Sequence, residues 1–365
     1  MTGDLIDADD QIVDDILPVR PDEPAIPAPL TLQPWHRPRK QFVRERQWAY
    51  LVQRLVSYQL GKPGMNSPHD RPEVRYLNLP GVDYLDTRLI GKLCNDLGCQ
   101  LTATGFLAGN ERNPQIARAK VQEEGLIESG LISDYSHTLP RRLEEVADLK
   151  SQTYRELERR GAFHIVNIDA CGSVAPPTSD HSRRLIDAIY RLLEFQFTSH
   201  ASRWLLFLTT DARPASVARE TIGNLWNAVT LNADSDATFR HMVADIFNLP
   251  KADQVRFIPQ SVSTAGTGFL QLLSLGFGKW ALHLAERRQW RVKAHSTYCY
   301  STTVKGDDTP TMACLAYEFR PPPPTRPDPF GVAAVSASEP IRAPGQTDSM
   351  RIAPKVNQMT NRDVT

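Results

Sequence analysis

Apolar positions in this chain fall into short runs separated by longer amphipathic stretches. Phe163–Ile168 is one such run, bounded by Gly161 and Gly172. It is too short for a helix, so it predicts a buried central strand that ends at Asp169. Val74–Leu77, Gln100–Leu107, Leu131–Ser133 and Trp204–Leu208 predict further strands. Between them Asp83–Leu97, Pro114–Glu124, Arg141–Arg160 and Arg183–Phe197 carry helical spacing, and Pro114 suits a first helical turn. This alternation predicts an α/β fold, a doubly wound and mostly parallel sheet with helices on both faces. The pattern changes after Thr210. Two helical stretches, Ala215–Ala228 and Ala237–Phe247, make residues 211–267 a helical insertion. A long helix over Gly268–Arg288 follows, then two strands, Arg291–Val304 and Pro310–Phe319, joined around Lys305–Asp308. The last pair predicts an antiparallel hairpin closing a seven-stranded sheet.

Composition places boundaries on this fold. Residues 1–33 hold eight acids against Arg20 alone, with five prolines between Pro18 and Pro29. Such a stretch lacks the apolar content to offset ordering entropy and predicts a disordered tail. Residues 321–365 open on Pro321–Pro324 and predict a second one. The folded part divides into a helical arm over 34–73 and a main domain over 74–320. The 42 basic and 42 acidic residues cancel, so no global field favours nucleic acid or a membrane. Within the arm, however, Arg37, Arg39, Lys40, Arg44 and Arg46 cluster beside Trp35. They are candidates for a phosphate-contacting, nucleic-acid-binding arm, and the competing reading is a solvated helix face. Trp48, Leu51, Val52 and Leu55 follow at helical spacing and predict a core-facing stripe. Five scattered cysteines without a CxxC pair fit a reducing cytoplasm, and the nine histidines show no metal-ligand spacing. The chain opens without a basic, then apolar, leader. Its most apolar long segment, Phe269–Ala285, is broken by Gln271, Lys279 and His283, which predicts a core helix and no membrane span.

Ligands of open parallel sheets bind outside the carboxyl ends of the strands. Asp169 and Cys171 fall at one such end, Gly81-Val82-Asp83 and Gly109-Asn110-Glu111 at two others. Five β/α units followed by a helix and an antiparallel hairpin resemble the layout of class I S-adenosylmethionine-dependent methyltransferases over residues 74–319. Val74–Asp83 is similar to that family's first strand and glycine-bearing loop, with one glycine where two or three are usual and Asn78 where an acid is common. Gly109–Pro114 is similar to the end of its second strand, where an acid accepts both ribose hydroxyls. Ser133-Asp134 resembles its third motif. Asn167–Pro177 resembles its fourth, nearest to the Asp-Pro-Phe-Gly versions of tRNA guanine-N2 methyltransferases and of bacterial three-Cys-motif partner proteins. Here Ala170 and Cys171 stand in place of the Pro-Phe pair.

The resemblance implies that S-adenosylmethionine is the cofactor, held by Gly81, Asp83, Glu111 and Asp134. It implies that Asp169 orients the acceptor, an amino group of a nucleic-acid base. Cys171 is a second catalytic candidate; a nucleophilic role would need a Pro-Cys pair and a separate acidic partner motif, so the residue also reads as a packing cysteine. An alternative reading is a catalytically inactive module of the same fold that binds a protein partner. A nucleotide-cofactor oxidoreductase is disfavoured because Gly-x-Gly-x-x-Gly is absent.

Overall fold

The computed structural model describes residues 36–60, 71–109, 113–177, 185–257, 266–302, 309–322 and 356–358. They fall in two units, Met1–Arg37 and Pro38–Thr365; the elements below belong to the second. Its helical start is continuous: α1 (Pro38–Val43), a π-helical turn (Arg44–Ala49) and α2 (Tyr50–Leu60). Then come β1 (Glu73–Asn78), α3 (Leu85–Asp96), β2 (Gln100–Phe106), α4 (Pro114–Glu128) and β3 (His137–Leu139). A 3-10 turn (Leu143–Ala147), α5 (Gln152–Arg160), β4 (Ile165–Asp169), α6 (Leu185–Ser199) and β5 (Trp204–Asp211) complete the parallel half. The remainder is α7 (Arg219–Ser235), α8 (Ala237–Ile246), α9 (Thr267–Glu286), β6 (Arg291–Ala294), β7 (Thr297–Tyr300), β8 (Met312–Arg320) and β9 (Val356–Gln358).

The strands form one sheet in the order β3-β2-β1-β4-β5-β8-β7-β9, with β6 also on β8. Strands β1 to β5 are parallel, and β8 runs antiparallel to β5 over the full length of that strand. Together β6 and β7 form one interrupted strand along the other edge of β8. Ala294 pairs with Tyr317 and Tyr298 with Cys314, so four steps on one strand face three on the other. The extra residue is a β-bulge at His295–Ser296. This is the doubly wound, methyltransferase-like sheet with an antiparallel end. The expected hairpin turn, Lys305–Asp308, lies outside the described residues, as do the tail over 1–33 and most of 321–365. Within the latter stretch Val356–Gln358 is strand and pairs in parallel with β7.

Local chemistry sets the element ends. Asn113 Oδ1 accepts from the Gln115 amide at 2.9 Å, and Pro114 occupies the first turn of α4. Asp236 Oδ1 accepts from the Thr238 and Phe239 amides and starts α8. Gly161, at φ +75°, ends α5 where an L side chain would be strained. The third strand departs from expectation. Leu131–Ser133 is a turn, and β3 begins six residues later at His137. Ser133 donates its amide to Leu101 O and its hydroxyl meets Thr102 Oγ1, which fixes the turn at the start of β2.

Side chains alternate across the sheet, and two cores result. Leu77, Val166, Ile168, Leu206 and Leu208 meet α6, α7 and α9. Val74, Tyr76, Ile165, Leu205 and Phe207 meet α2, α3 and α4. Helix α7 crosses α9 at Gly276, where an added Cβ would lie 2.7 Å from Leu225 Cβ, whereas Gly223 on the same α7 has open space around it. Gly276→Ala is expected to cost about 1–3 kcal/mol through overpacking. Gly223→Ala, in an exposed helix interior, is expected to stabilise by up to about 1 kcal/mol. Urea unfolding of both variants checks the contact.

Candidate functional site at the carboxyl edge of the sheet

Strand order reverses between β1 and β4, so the carboxyl ends of these two strands border the switch-point crevice. The residues there follow from period-two alternation. On the face shared with α2 and α3, β1 ends in Tyr76 and Asn78, β4 in Ile165, Asn167 and Asp169, and β5 in Phe207 and Thr209. The apolar ladder of that face thus turns polar at the carboxyl end of three adjacent strands. Asn167 Nδ2 donates to Tyr76 Oη at 3.0 Å, and Asn78 Nδ2 to Thr87 Oγ1 at 3.0 Å.

The start of the domain closes over this polar row. Lys40 Nζ lies 2.6 Å from Asp169 Oδ1 and 3.3 Å from Thr209 Oγ1, and it stands 4.4 Å from the Trp48 ring centroid. Four residues on, Arg44 pairs with Asp86 at the head of α3. Three further on, Gln47 Nε2 donates to Ser296 O in the bulge at 2.8 Å and to Cys314 O at 3.1 Å. Trp48 then packs on Phe207 with ring centroids 5.8 Å apart. The π-helical turn holds Arg44, Gln47 and Trp48 buried on the side of the sheet. Burial alone would lower the Lys40 pKa. The Asp169 carboxylate and the other polar neighbours outweigh it, the net shift is strongly upward, and the amine stays protonated. Burial pushes the Asp86 carboxyl up against the pull of Arg44.

The nucleic-acid arm expected from the sequence is therefore corrected at two of its cations. Lys40 and Arg44 are only 2% and 3% exposed and point at carboxylates, so phosphates do not reach them. Arg39 donates to Ser301 O at 3.2 Å. Arg46 is exposed, and Arg37 belongs to the other unit. A second correction concerns Asp134. It lies in the turn before β3, beside the start of β2, at the amino edge of the sheet and away from the crevice. Glu111 lies outside the described residues. Asp83 stands on the β1–α3 loop and meets Arg118 of α4 at 2.7 Å. Gly81 and Gly172, one in each loop that borders the switch point, have nothing within 4 Å of an added Cβ. Cys171 is exposed next to Asp169. Desolvation, then the Asp169 carboxylate, raises its thiol pKa, which disfavours the nucleophilic thiolate. The structure thus brings Gly81, Asp169 and Cys171 to the crevice, with Asp83 two residues beyond Gly81 on the same β1–α3 loop. Sequence reasoning missed Thr209, Asp86 and Gln47. Among the described residues no cluster of three or more His, Cys, Asp or Glu could hold a metal, and no helix is long and apolar enough to cross a membrane.

A family model, described as PP_RS20740-like, matches residues 29–365. The chain belongs to the PP_RS20740-like family. No curated protein matches the sequence. Solved structures similar to it include a Listeria monocytogenes protein assigned to the class I S-adenosylmethionine-dependent methyltransferases, 12% identical over 77% of this chain and 61% of that one, with a TM-score of 0.32. The chain thus spans about three fifths of that protein's length. A Clostridium thermocellum protein assigned as an rRNA methylase is 9% identical over 74% of this chain and 96% of that one, TM-score 0.31. A loganic acid methyltransferase with SAH is 8% identical over 79% and 97%, TM-score 0.29.

Arg44 and Asp86 are each desolvated and each other's charge partner. Arg44→Ala is expected to lose about 3–5 kcal/mol, since it strands a buried carboxylate, while the pair Arg44→Met with Asp86→Leu loses much less. Chemical denaturation of the wild type, Arg44→Ala and the double variant measures the difference.

Proposed function

We propose that this chain is an S-adenosylmethionine-dependent methyltransferase domain working at the β1/β4 crevice. One observation carries the reading: a carboxylate, Asp169, ends the strand beside the switch point of a sheet with the methyltransferase-like order, and the glycine loops on either side of it are open. That arrangement fits the cofactor. The backbone of the Gly81 loop would lie along the methionine part, and Glu111 would serve the ribose. Asp83 would contribute after exchanging Arg118, an exposed partner whose surface pair is worth little. The cofactor supplies an electrophilic methyl group when bound. What the chain itself contributes is placement: Asp169 holds the acceptor in line, and positioning supplies much of the rate in a direct displacement.

The acceptor is the less supported half of the reading. The case for nucleic acid rested on the basic arm and the fourth motif, and two of the arm's cations serve internal ion pairs. The alternative reading, a module of this fold without turnover that binds a protein partner, is favoured by one specific observation: Asp169 already has an ammonium partner.

Calorimetric titration with S-adenosylmethionine and S-adenosylhomocysteine separates the two. Gly81 lacks a positive φ and has open space around it, so Gly81→Val is tolerated by the fold. Saturable binding by the wild type, weakened at least about tenfold (about 1.4 kcal/mol) in Gly81→Val at unchanged melting temperature, is the expected result. No binding by the wild type favours the module.

A further inference from the structure

Asp169 ends β4 beside the switch point, and Lys40 holds it. We propose that the first helix is a built-in plug of the acceptor position: Lys40 Nζ fills the place on Asp169 that an acceptor group would take, and α1 must lift for substrate to enter. This inference rests on the reading of Asp169 as the acceptor-orienting residue.

Three features support it. The donors of the ammonium are engaged inside the protein, by Asp169 Oδ1, by Thr209 Oγ1 and by the face of Trp48, as a bound cationic group would be in a made-to-measure pocket. Asp169 nevertheless keeps 15% of its side chain exposed while Lys40 keeps 3%, so the acid stands at the mouth and the lysine behind it. The latch is also unevenly anchored. In α1 only Lys40 and Val43 are buried, whereas α2 buries Leu51, Val52, Leu55, Val56 and Gln59. Between them lies a π-helical turn, a rare geometry that concentrates at functional sites and that offers the helix a place to bend. A buried ion pair adds little net stability, because desolvation offsets most of its attraction. The pair fixes where α1 sits without binding it tightly. Local opening of α1, with α2 held by its apolar stripe, is then cheaper than global unfolding.

The experiment labels the wild-type chain with acetic anhydride at Lys40 and with iodoacetamide at Cys299, a thiol that is 0% exposed in the core. Each rate is normalised to the same residue in 6 M guanidinium, about the concentration of full unfolding. The expected result is a protection factor at Lys40 at least about tenfold below that at Cys299 and insensitive to low urea, the mark of local opening. In Asp169→Asn the protection of Lys40 is expected to fall again by at least about tenfold relative to Cys299. Equal protection at the two residues in the wild type overturns the plug, and so does Lys40 protection that Asp169→Asn leaves unchanged. Neither labelling result depends on the cofactor. Failure to bind S-adenosylmethionine with Lys40 opening locally would count against the proposed activity alone. Cofactor binding with Lys40 opening only globally would count against the plug alone.

Discussion

The ion pair between Lys40 and Asp169 is the constraint on which the rest of this architecture depends. Two opposite charges are taken almost wholly out of water at the carboxyl end of the central strand. Leaving either alone in a closed site would cost several kcal/mol, so the pair sets where the helix that carries Lys40 rests on the sheet. The consequences run along the helix. Arg44 has to find Asp86, Gln47 has to satisfy the Ser296 carbonyl of the β-bulge and that of Cys314, and Trp48 has to cover Phe207. A regular α-helix gives way to a π-helical turn over these residues.

The sheet prepares this contact by arithmetic of period two. Asn78, Asn167, Asp169 and Thr209 face the same side because each lies an even number of residues from an apolar member of the ladder below it. The register of β4 with β5 sets Asp169 beside Thr209, which is why one ammonium reaches both. The switch point between β1 and β4 makes that same edge the crevice at which a doubly wound fold binds its ligand. Stability and the site therefore share residues. A charge pair that pins the first helix also occupies the acid that ends the strand at the switch point.

Much of the fold was legible in the sequence, because solid apolar runs between turn residues mark buried parallel strands. β1, β2, β4 and β5, helices α3, α4 and α6 and the antiparallel end lie where those runs predict, whereas the helix expected over Arg141–Arg160 is a 3-10 turn followed by the shorter α5. β3 was misplaced. Leu131 and Ile132 look like a strand start, yet a turn bonded to Leu101 claims them, and the true strand is three residues with little apolar signal of its own. That error carried Asp134 to the wrong edge of the sheet. The basic arm was misread for a different reason. A charge cluster beside aromatics suggests phosphates, but Lys40, Arg44 and Gln47 share spacing with Trp48 and Leu51, so the polar stripe continues the buried one. Asp86, one residue into α3, gave no signal on its own. Its role appears only once the fold brings Arg44 against it.

The central claim is that the crevice between β1 and β4 is a cofactor site with Asp169 at its acceptor end. Its most direct test is a crystal structure of the full chain grown with saturating S-adenosylhomocysteine. Ligand density is expected against the Gly81 loop, with its sulfur end toward Asp169 and its ribose toward the carboxyl end of β2. A fully occupied ligand elsewhere on the molecule, or a bare Gly81 loop at saturating ligand, would contradict it.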